Sequence, residues 1–458
     1  MDKTQDNYVP VLRTHVVLRP EPFGGFLFDP LFQSELKLDS IRFRIALMCD
    51  GAFSSDNIKE SLGSELNHSR RYVDQLVEST LRQFDDQKLL DWNGERLIRP
   101  YDLGDLAGPN SDGQRHLSAP LAVIWEITRR CNLRCKHCFS NSGLPESDEL
   151  TTDEVKRAID LLSEKKVFYV NFTGGEPLLR PDLIDILSYA SGKKISLSLS
   201  TNGYLLTGET ADLLKETNVS QVQISIDGMN EQHDLFRGVT GSFSQALKAI
   251  RLLRDAGIEV AVSTTVNKTN MDQISRIIDM SMDVGASVFK TTLFIPVGRG
   301  RSNEAELGLE SDDVHRLAIL MKEKENEVNG RLFLEDSSCY SWLFEDGSLA
   351  APSWMRSKNI GCAAGKSNIF ITADGNVVPC PFLRELTMGN IRRDSFDEIW
   401  DSEVLDVFRT LHTGDLTGKC GNCEHLGMRC YGGCRAAALA YNGDLLGADP
   451  FCWKQSSS

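Results

Sequence analysis

The pattern of apolar and polar positions divides the chain into three stretches. From Ala119 to about Gly330, short apolar runs of strand length alternate with longer segments whose apolar residues recur at helical spacing. The strand-like runs are "LAVIWEIT", "VFYVNFT", "ISLSLSTN", "VQISIDG", "VAVSTTVN" and "SVFKTTLFIP". "TTDEVKRAIDLLSEKK", "DLIDILSYA", "SFSQALKAIRLLRDAG" and "SDDVHRLAILMKEK" read as helices between or after them. Repeated strand-then-helix order means an α/β fold with a parallel sheet and right-handed crossovers. Six such units can close into a partial (β/α)6 barrel, whose active site belongs at the C-terminal ends of the strands.

The stretch before the barrel, residues 1–105, starts with the β-like pieces "HVVLRP" and "GGFLFDP". Two helical patterns follow, of which "SRRYVDQLVESTLRQF" is the clearest, and "KLLDW" with "ERLIRP" reads as a hairpin. The polar, Gly- and Pro-bearing segment over residues 106–118 reads as a linker. Residues 331–458 show little regular pattern but hold eight of the twelve cysteines. Metal is expected to supply there what the core lacks.

Composition narrows the classes. With 458 residues, 41% of them hydrophobic, the chain can build more than one core. No apolar run is long enough for a bilayer, and "MDKTQDNYVP" lacks the basic-then-apolar pattern of a signal peptide. The expectation is a cytoplasmic protein with no membrane partner. In a reducing compartment clustered thiols are more often metal ligands than disulfides. A net charge of −15 with no Lys/Arg block offers nothing to neutralise phosphates, so no nucleic-acid partner is expected.

The candidate chemistry starts just past the first strand, in "TRRCNLRCKHCFSNSG". Cys131, Cys135 and Cys138 are separated there by three residues and then two. A cubane of four irons takes one ligand per iron, so three thiolates leave one iron open to a reactive ligand. A zinc site completed by His137 or a distant cysteine suits the same spacing. "FTGGEP" ends the second strand. Gly174 and Gly175 permit close backbone approach to a ligand, and Glu176 with Pro177 fixes the turn. Further strand ends offer Ser200, Thr201 and Asn202 in "LSTNG", Ser225 and Asp227 in "ISIDG", and Arg237 in "FRGVTGSF". Such residues beside glycine also make ordinary turns.

The cysteine triplet on a loop, with a GGE turn one strand later, resembles the signature of the radical S-adenosylmethionine (SAM) superfamily. The resemblance implies a 4Fe-4S cluster on Cys131, Cys135 and Cys138, with SAM chelating the open iron. It implies that the turn Gly174, Gly175, Glu176, Pro177 holds the amino group of SAM. Ser200, Asn202, Ser225, Asp227 and Arg237 would take its ribose and carboxylate, and Thr265, Val266 and Asn267 would line its adenine. Phe139 would shield the cluster. An electron from a donor such as flavodoxin or ferredoxin would split SAM, and the 5′-deoxyadenosyl radical would abstract hydrogen from an unactivated C–H bond.

From Cys362 the text reads "CAAGKSNIFITADGNVVPC", then "CGNCEHLGMRCYGGC", then "DPFCW". These seven thiols resemble the SPASM auxiliary-cluster domain, with six residues between Cys423 and Cys430 where the family usually has five. The family pattern implies an outer cluster on Cys420, Cys423, Cys430 and Cys452, and an inner one on Cys362, Cys380 and Cys434. Cys339 would close the inner cluster, or an iron there stays open for a substrate thiol. That makes three 4Fe-4S clusters in all. A pair of zinc sites fits the same thiols. Cys49 reads as a buried core thiol.

In the first stretch, "LRPEPFGGFLFDP" resembles the opening of the small peptide chaperones of the pyrroloquinoline-quinone and mycofactocin pathways. That implies a winged-helix-like domain over residues 1–105 that captures a precursor's leader, which can join an exposed sheet edge as an extra strand. "VFYVNFTGGEPLLRPDL", "VQISIDG", "VGRG" and "CPFLRELTMGN" look close to mycofactocin-type maturases. The expected order is thus leader-binding domain (1–105), linker (106–118), radical SAM barrel (119–330) and SPASM domain (331–458). The implied activity is maturation of a ribosomally made precursor peptide through an intrapeptide link such as a cysteine thioether. Oxidative decarboxylation of a C-terminal tyrosine and sulfatase-type maturation of a folded protein are the alternatives, with a non-enzymatic zinc scaffold outside the enzyme class.

Overall fold

The computed structural model describes residues 8–66, 69–94, 116–144, 148–336, 361–427 and 430–454. The chain forms two compact units. One comprises Met1–Ala119 with Lys194–Ser196, the other Pro120–Lys193 with Leu197–Ser458.

In the first unit, β1 (Pro10–Leu12) is followed by a meander of β2 (Val17–Glu21), β3 (Gly24–Asp29) and β4 (Ser34–Asp39). Three helices come next: α1 (Ser40–Met48), α2 (Ser55–Glu65) and α3 (Arg70–Asp86). The sequence reading had two helical patterns here, and it had no β4. The reason is visible in β4, where only Leu38 is buried and Ser34, Glu35, Lys37 and Asp39 are exposed, so an edge strand carries little apolar signal. α3 shows the reverse: Val73, Val77, Thr80, Leu81 and Phe84 fall on one face and are all buried. They pack in one core with Leu27 and Leu38 of the meander and with Cys49, which is fully buried. β5 (Leu90–Trp92) pairs antiparallel with β1, Pro10 opposite Trp92. The second arm of the expected hairpin, residues 95–100, lies outside the described residues.

The second unit holds the six expected barrel strands in chain order and all in one sheet: β6 (Ala122–Glu126), β7 (Tyr169–Thr173), β8 (Ser196–Thr201), β9 (Val219–Ser225), β10 (Glu259–Val266) and β11 (Val288–Leu293). The crossovers are α4 (Thr152–Glu164), α5 (Leu183–Ser191), α6 (Gly208–Glu216), α7 (Glu231–Arg237) with α8 (Ser242–Asp255), and α9 (Ile274–Asp283). α4 starts at a capping box in which Thr151 and Glu154 satisfy each other's backbone N–H groups. After α10 (Glu304–Leu307) and α11 (Ser311–Val328), β12 (Phe333–Asp336) adds in parallel to β11.

The C-terminal stretch is less irregular than its sequence suggests. β13 (Asn368–Ile371) joins the barrel sheet beside β6, in parallel, with Asn368 opposite Ala122 and Ile371 opposite Trp125. β14 (Asn376–Val378) and β15 (Gly389–Asn390) continue the sheet antiparallel, so that it reaches ten strands. Three short helices complete the chain: α12 (Phe396–Trp400), α13 (Asp406–Arg409) and α14 (Arg435–Asn442).

Candidate functional site

The loop after β6 carries Cys131, Cys135 and Cys138, and it is held mainly at its backbone, by main-chain N–H groups and by side-chain donors that reach its carbonyls. Cys131 N–H donates to the Gly143 carbonyl at 3.0 Å, closing the loop on itself. Arg134 and Lys136 N–H groups donate to the carbonyls of Arg237 and Phe236, each at 3.0 Å. From beyond β11, Arg299 grips the loop three times. Its N–H donates to the Cys138 carbonyl at 2.9 Å, Nη1 to the Cys135 carbonyl at 3.0 Å, and Nη2 to the Ser142 carbonyl at 2.6 Å. The sequence reading had passed over Arg299, although it sits in the "VGRG" stretch already noted. The three thiols are close enough for their charges to oppose one another. Burial pushes Cys135 up to about 12, with Arg237 opposing that push. Such a thiol ionises when a metal supplies compensating positive charge.

The GGEP turn is locked to this loop. Gly175 N–H donates to the Thr128 carbonyl and Glu176 N–H to the Arg130 carbonyl, both at 2.7 Å. A Cβ on Gly174 would lie 2.6 Å from the Thr128 carbonyl oxygen, and one on Gly175 would lie 2.2 Å from that of Arg130. The close approach that these glycines permit is therefore to the cysteine loop. Glu176 is fully buried, and its carboxylate accepts from Thr201 Oγ1 at 2.6 Å, from Leu178 N–H at 3.1 Å and from Asn202 N–H at 2.8 Å. Burial raises its pKa against the pull of those donors. Every one of these bonds goes to the protein itself, so the acid sets the turn at the head of the short helix begun by buried Pro177.

The other strand-end residues fall into two groups. Asn202 donates from Nδ2 to Asn132 Oδ1 at 2.9 Å, tying the end of β8 to the cysteine loop. Ser200 donates to Asn171 Oδ1 at 3.0 Å, and Asn171 in turn donates to Ser198. Asp227 and Arg237 form a buried ion pair, Nε to Oδ2 at 2.8 Å, while Asp227 Oδ1 accepts Thr265 N–H at 2.7 Å. Burial is the largest influence and disfavours the Asp227 charge, but Arg237, His137, His233 and the Thr265 N–H together outweigh it and hold the carboxyl below its usual range. His137 Nε2 lies 3.8 Å from Asp227 Oδ2. Asn267 is buried and spends its amide on the turn with Thr265, Thr269 and Asn270, and Val266 is fully buried.

Two buried polar atoms of the cysteine loop, His137 Nδ1 and Asn132 Nδ2, have no hydrogen-bond partner among the described residues. Buried donors and acceptors are normally satisfied, so unmet groups beside three thiols suit a polar cofactor bound there.

The C-terminal thiols gather into two sets. Cys420, Cys423, Cys430 and Cys452 line one hollow, with Lys419, His425 and Lys454 at its walls. Cys362, Cys380 and Cys434 interact electrostatically as a second set. Burial pushes Cys430 and Cys434 up to about 12 each. All seven are free thiols. Among the described residues, no three His, Cys, Asp or Glu side chains converge as they would on a single metal ion. Thiols ranged around a hollow suit a polynuclear cluster. Cys339, expected to complete the inner set, lies outside the described residues.

Two contacts connect the loop of Cys138 with that of Cys380. Phe139 packs edge-on against Phe382 at 5.6 Å and Phe370 at 6.1 Å. Glu126, at the end of β6, is paired through both oxygens with Arg384. Neither partner of that ion pair stood out in the sequence, because a lone Glu and a lone Arg far apart in the chain carry no pattern.

Comparison with known proteins gives the same picture. The model of the Radical SAM superfamily matches residues 125–304, and the SPASM model, described as an iron–sulfur cluster-binding domain, matches residues 362–424. The AdoMet-dependent heme synthase of Methanosarcina barkeri is 35% identical over 346 residues, 73% of this chain and 97% of that protein. The mycofactocin maturase MftC of Mycobacterium tuberculosis is 35% identical over 345 residues, 74% of this chain and 84% of that protein. Among solved structures, SuiB of Streptococcus suis bound to its precursor peptide SuiA superposes with a TM-score of 0.70 at 17% identity, covering 97% of this chain and 100% of that one. At that identity the likeness is one of fold.

Proposed function

Since the chain belongs to the radical SAM superfamily and carries a SPASM domain at its C-terminal end, we propose that it is a maturase of a ribosomally made precursor peptide. The observation that carries this reading is the first unit, a three-stranded meander whose last strand, β4, lies at the sheet edge with Ser34, Glu35, Lys37 and Asp39 exposed, on the same chain as the barrel. An unpaired edge of this kind can take a leader as one more strand through main-chain hydrogen bonds. The linker and the boundaries at 105, 118 and 330 belong to the same proposal.

Cys131, Cys135 and Cys138 would hold a 4Fe-4S cluster, and the unmet polar groups of Asn132 and His137 would meet SAM, with Ser225 at the nearby end of β9. Cluster and SAM together supply a 5′-deoxyadenosyl radical that takes a hydrogen atom from a C–H bond of the substrate. The protein's part is placement. Arg299 and the GGEP turn fix the cysteine loop from opposite ends of its sequence, and the Asp227–Arg237 pair supports it at the carbonyls of Phe236 and Arg237. Phe139, Phe370 and Phe382 make an apolar wall next to Cys138 that keeps water away from reactive species. The two C-terminal thiol sets would hold auxiliary clusters, three clusters in all, the inner one closed by Cys339. Their role is to accept the electron released when the carbon-centred product becomes a closed-shell bond. A flavodoxin or ferredoxin would supply the electron that starts the cycle.

The finer outcome we propose is an intrapeptide link such as a cysteine thioether. A second reading, oxidative decarboxylation at the peptide's C-terminus, is favoured by the 35% identity to the mycofactocin maturase. The heme synthases raise a tetrapyrrole as substrate, but a tetrapyrrole has no strand to pair with β4. The test is mass spectrometry of candidate precursor peptides, sought among short reading frames neighbouring this one, after anaerobic incubation with the enzyme, SAM and reductant. A cross-link removes a hydrogen pair, and oxidative decarboxylation removes carbon dioxide together with a hydrogen pair. An unchanged peptide, together with turnover of a porphyrin carboxylate, would overturn the reading.

A further inference from the structure

Asp449 is only 1% exposed and is bonded toward both sets of C-terminal thiols. Its Oδ2 accepts the N–H of Cys434, in the inner set, at 2.8 Å. Its Oδ1 accepts the N–H of Phe451 at 2.9 Å, and its carbonyl accepts the N–H of Cys452, in the outer set, at 3.4 Å. The "YGGC" stretch is shaped to admit this carboxylate. Gly433 has φ +67, and a Cβ there would overlap Asp449 Oδ2. Arg435, buried next to Cys434, closes the intervening excursion by donating to the carbonyls of Leu445 at 3.0 Å and Gly447 at 2.8 Å, which returns the chain to Asp449.

Both oxygens of this side chain are thus engaged by backbone N–H donors, the arrangement of a charge-assisted anchor. The same residue lines the hollow of the outer set, beside Cys420, Cys423, Cys430 and Cys452.

We propose that Asp449 is a positioning residue shared by the two auxiliary clusters, holding Cys434 and the Cys452 turn in register and setting one buried negative charge beside both. The proposal rests on the auxiliary-cluster reading above. A nearby fixed anion disfavours the added electron on each cluster, because the reduced cluster is the more negative form. One carboxylate therefore keeps the reduction equilibria of both clusters in step.

The experiment is an EPR-monitored redox titration of the anaerobically reconstituted full-length chain, with iron content measured alongside. Asp449→Asn removes the charge and keeps the shape. It is expected to favour reduction of both auxiliary clusters by about tenfold, roughly 59 mV for a one-electron couple, and to leave the cluster at Cys131 unshifted. Asp449→Glu, which keeps the charge, is expected to return both equilibria most of the way to native. A fully loaded Asp449→Asn protein with native potentials, or with the same shift at all clusters, overturns the proposal. If Asp449→Asn fails to hold iron, Asp449→Glu decides: native-like potentials support the proposal and displaced ones overturn it. A wild-type chain that takes up only one cluster overturns the auxiliary-cluster reading, and this proposal with it.

Discussion

Glu126 and Arg384 are paired by two parallel hydrogen bonds of 2.8 Å, Nη1 to Oε2 and Nη2 to Oε1. Glu126 ends β6, five residues before Cys131, and Arg384 follows Cys380 by four. Glu126 is fully buried, while the guanidinium lies 5.5 Å from the Phe370 ring. A forked pair of this geometry fixes direction as well as distance, which a lysine in place of the arginine could not do. It locks the strand that leads into the cysteine loop to the loop that leads out of Cys380.

Removing one partner should be costly. Arg384→Met leaves the Glu126 carboxylate buried and unpaired, and the unfolding free energy is expected to fall by about 3–5 kcal/mol. The double variant Glu126→Gln/Arg384→Met should recover much of that loss, since no charge is then stranded. Urea unfolding of the two variants checks the difference. Equal destabilisation in both would mean that the pair acts through packing alone.

Arg299 is expected to matter through the loop it holds. Lysine keeps the charge but cannot reach the Cys135 and Ser142 carbonyls together. Arg299→Lys should lower cluster retention or deoxyadenosine formation by about 10–100-fold, the usual cost of losing an outer-shell support. Iron content after desalting and the rate of deoxyadenosine release read the two effects separately.

The two kinds of thiol should separate by function. Cys131→Ala should abolish deoxyadenosine formation. Cys452→Ala should spare part of it while stopping peptide modification, because it lines the hollow formed with Cys420, Cys423 and Cys430. Chromatography of SAM products and mass spectrometry of the peptide give both readouts from one incubation. Native deoxyadenosine output from Cys131→Ala would contradict the ligand assignment.

Deleting residues 1–105 tests the leader-binding role. The shortened chain should still cleave SAM, and peptide modification should fall at low peptide concentration and partly recover at high concentration. An undiminished rate at every concentration would point to the sulfatase-type alternative, which has no need of a leader.

Much of the fold was legible in the chain. Five of the six barrel strands are rich in β-branched and aromatic residues, β8 instead alternates serine with leucine, and all six are present. α3 and α4 were legible because their apolar residues repeat at helical spacing and a Ser or Thr caps each start. β4 was not, because an exposed edge buries one side chain and has no periodic apolar signal. β12 and β13 were missed for another reason. Each is four residues long, and each becomes a strand by pairing with a partner remote in sequence.

By itself, the sequence determined the chemistry and the local geometry: which residues are thiols, how far apart they stand along the chain, and where backbone turns demand glycine. Those properties depend on near neighbours in the chain, so a one-dimensional reading reaches them. Only the tertiary structure decided what the turns approach. It set Gly175 against the Arg130 carbonyl, closed Glu176 onto Thr201 and Asn202, brought Arg299 to the cysteine loop, and joined Glu126 to Arg384 across 258 residues of chain. Such pairings arise when distant elements pack and buried polar groups must find partners.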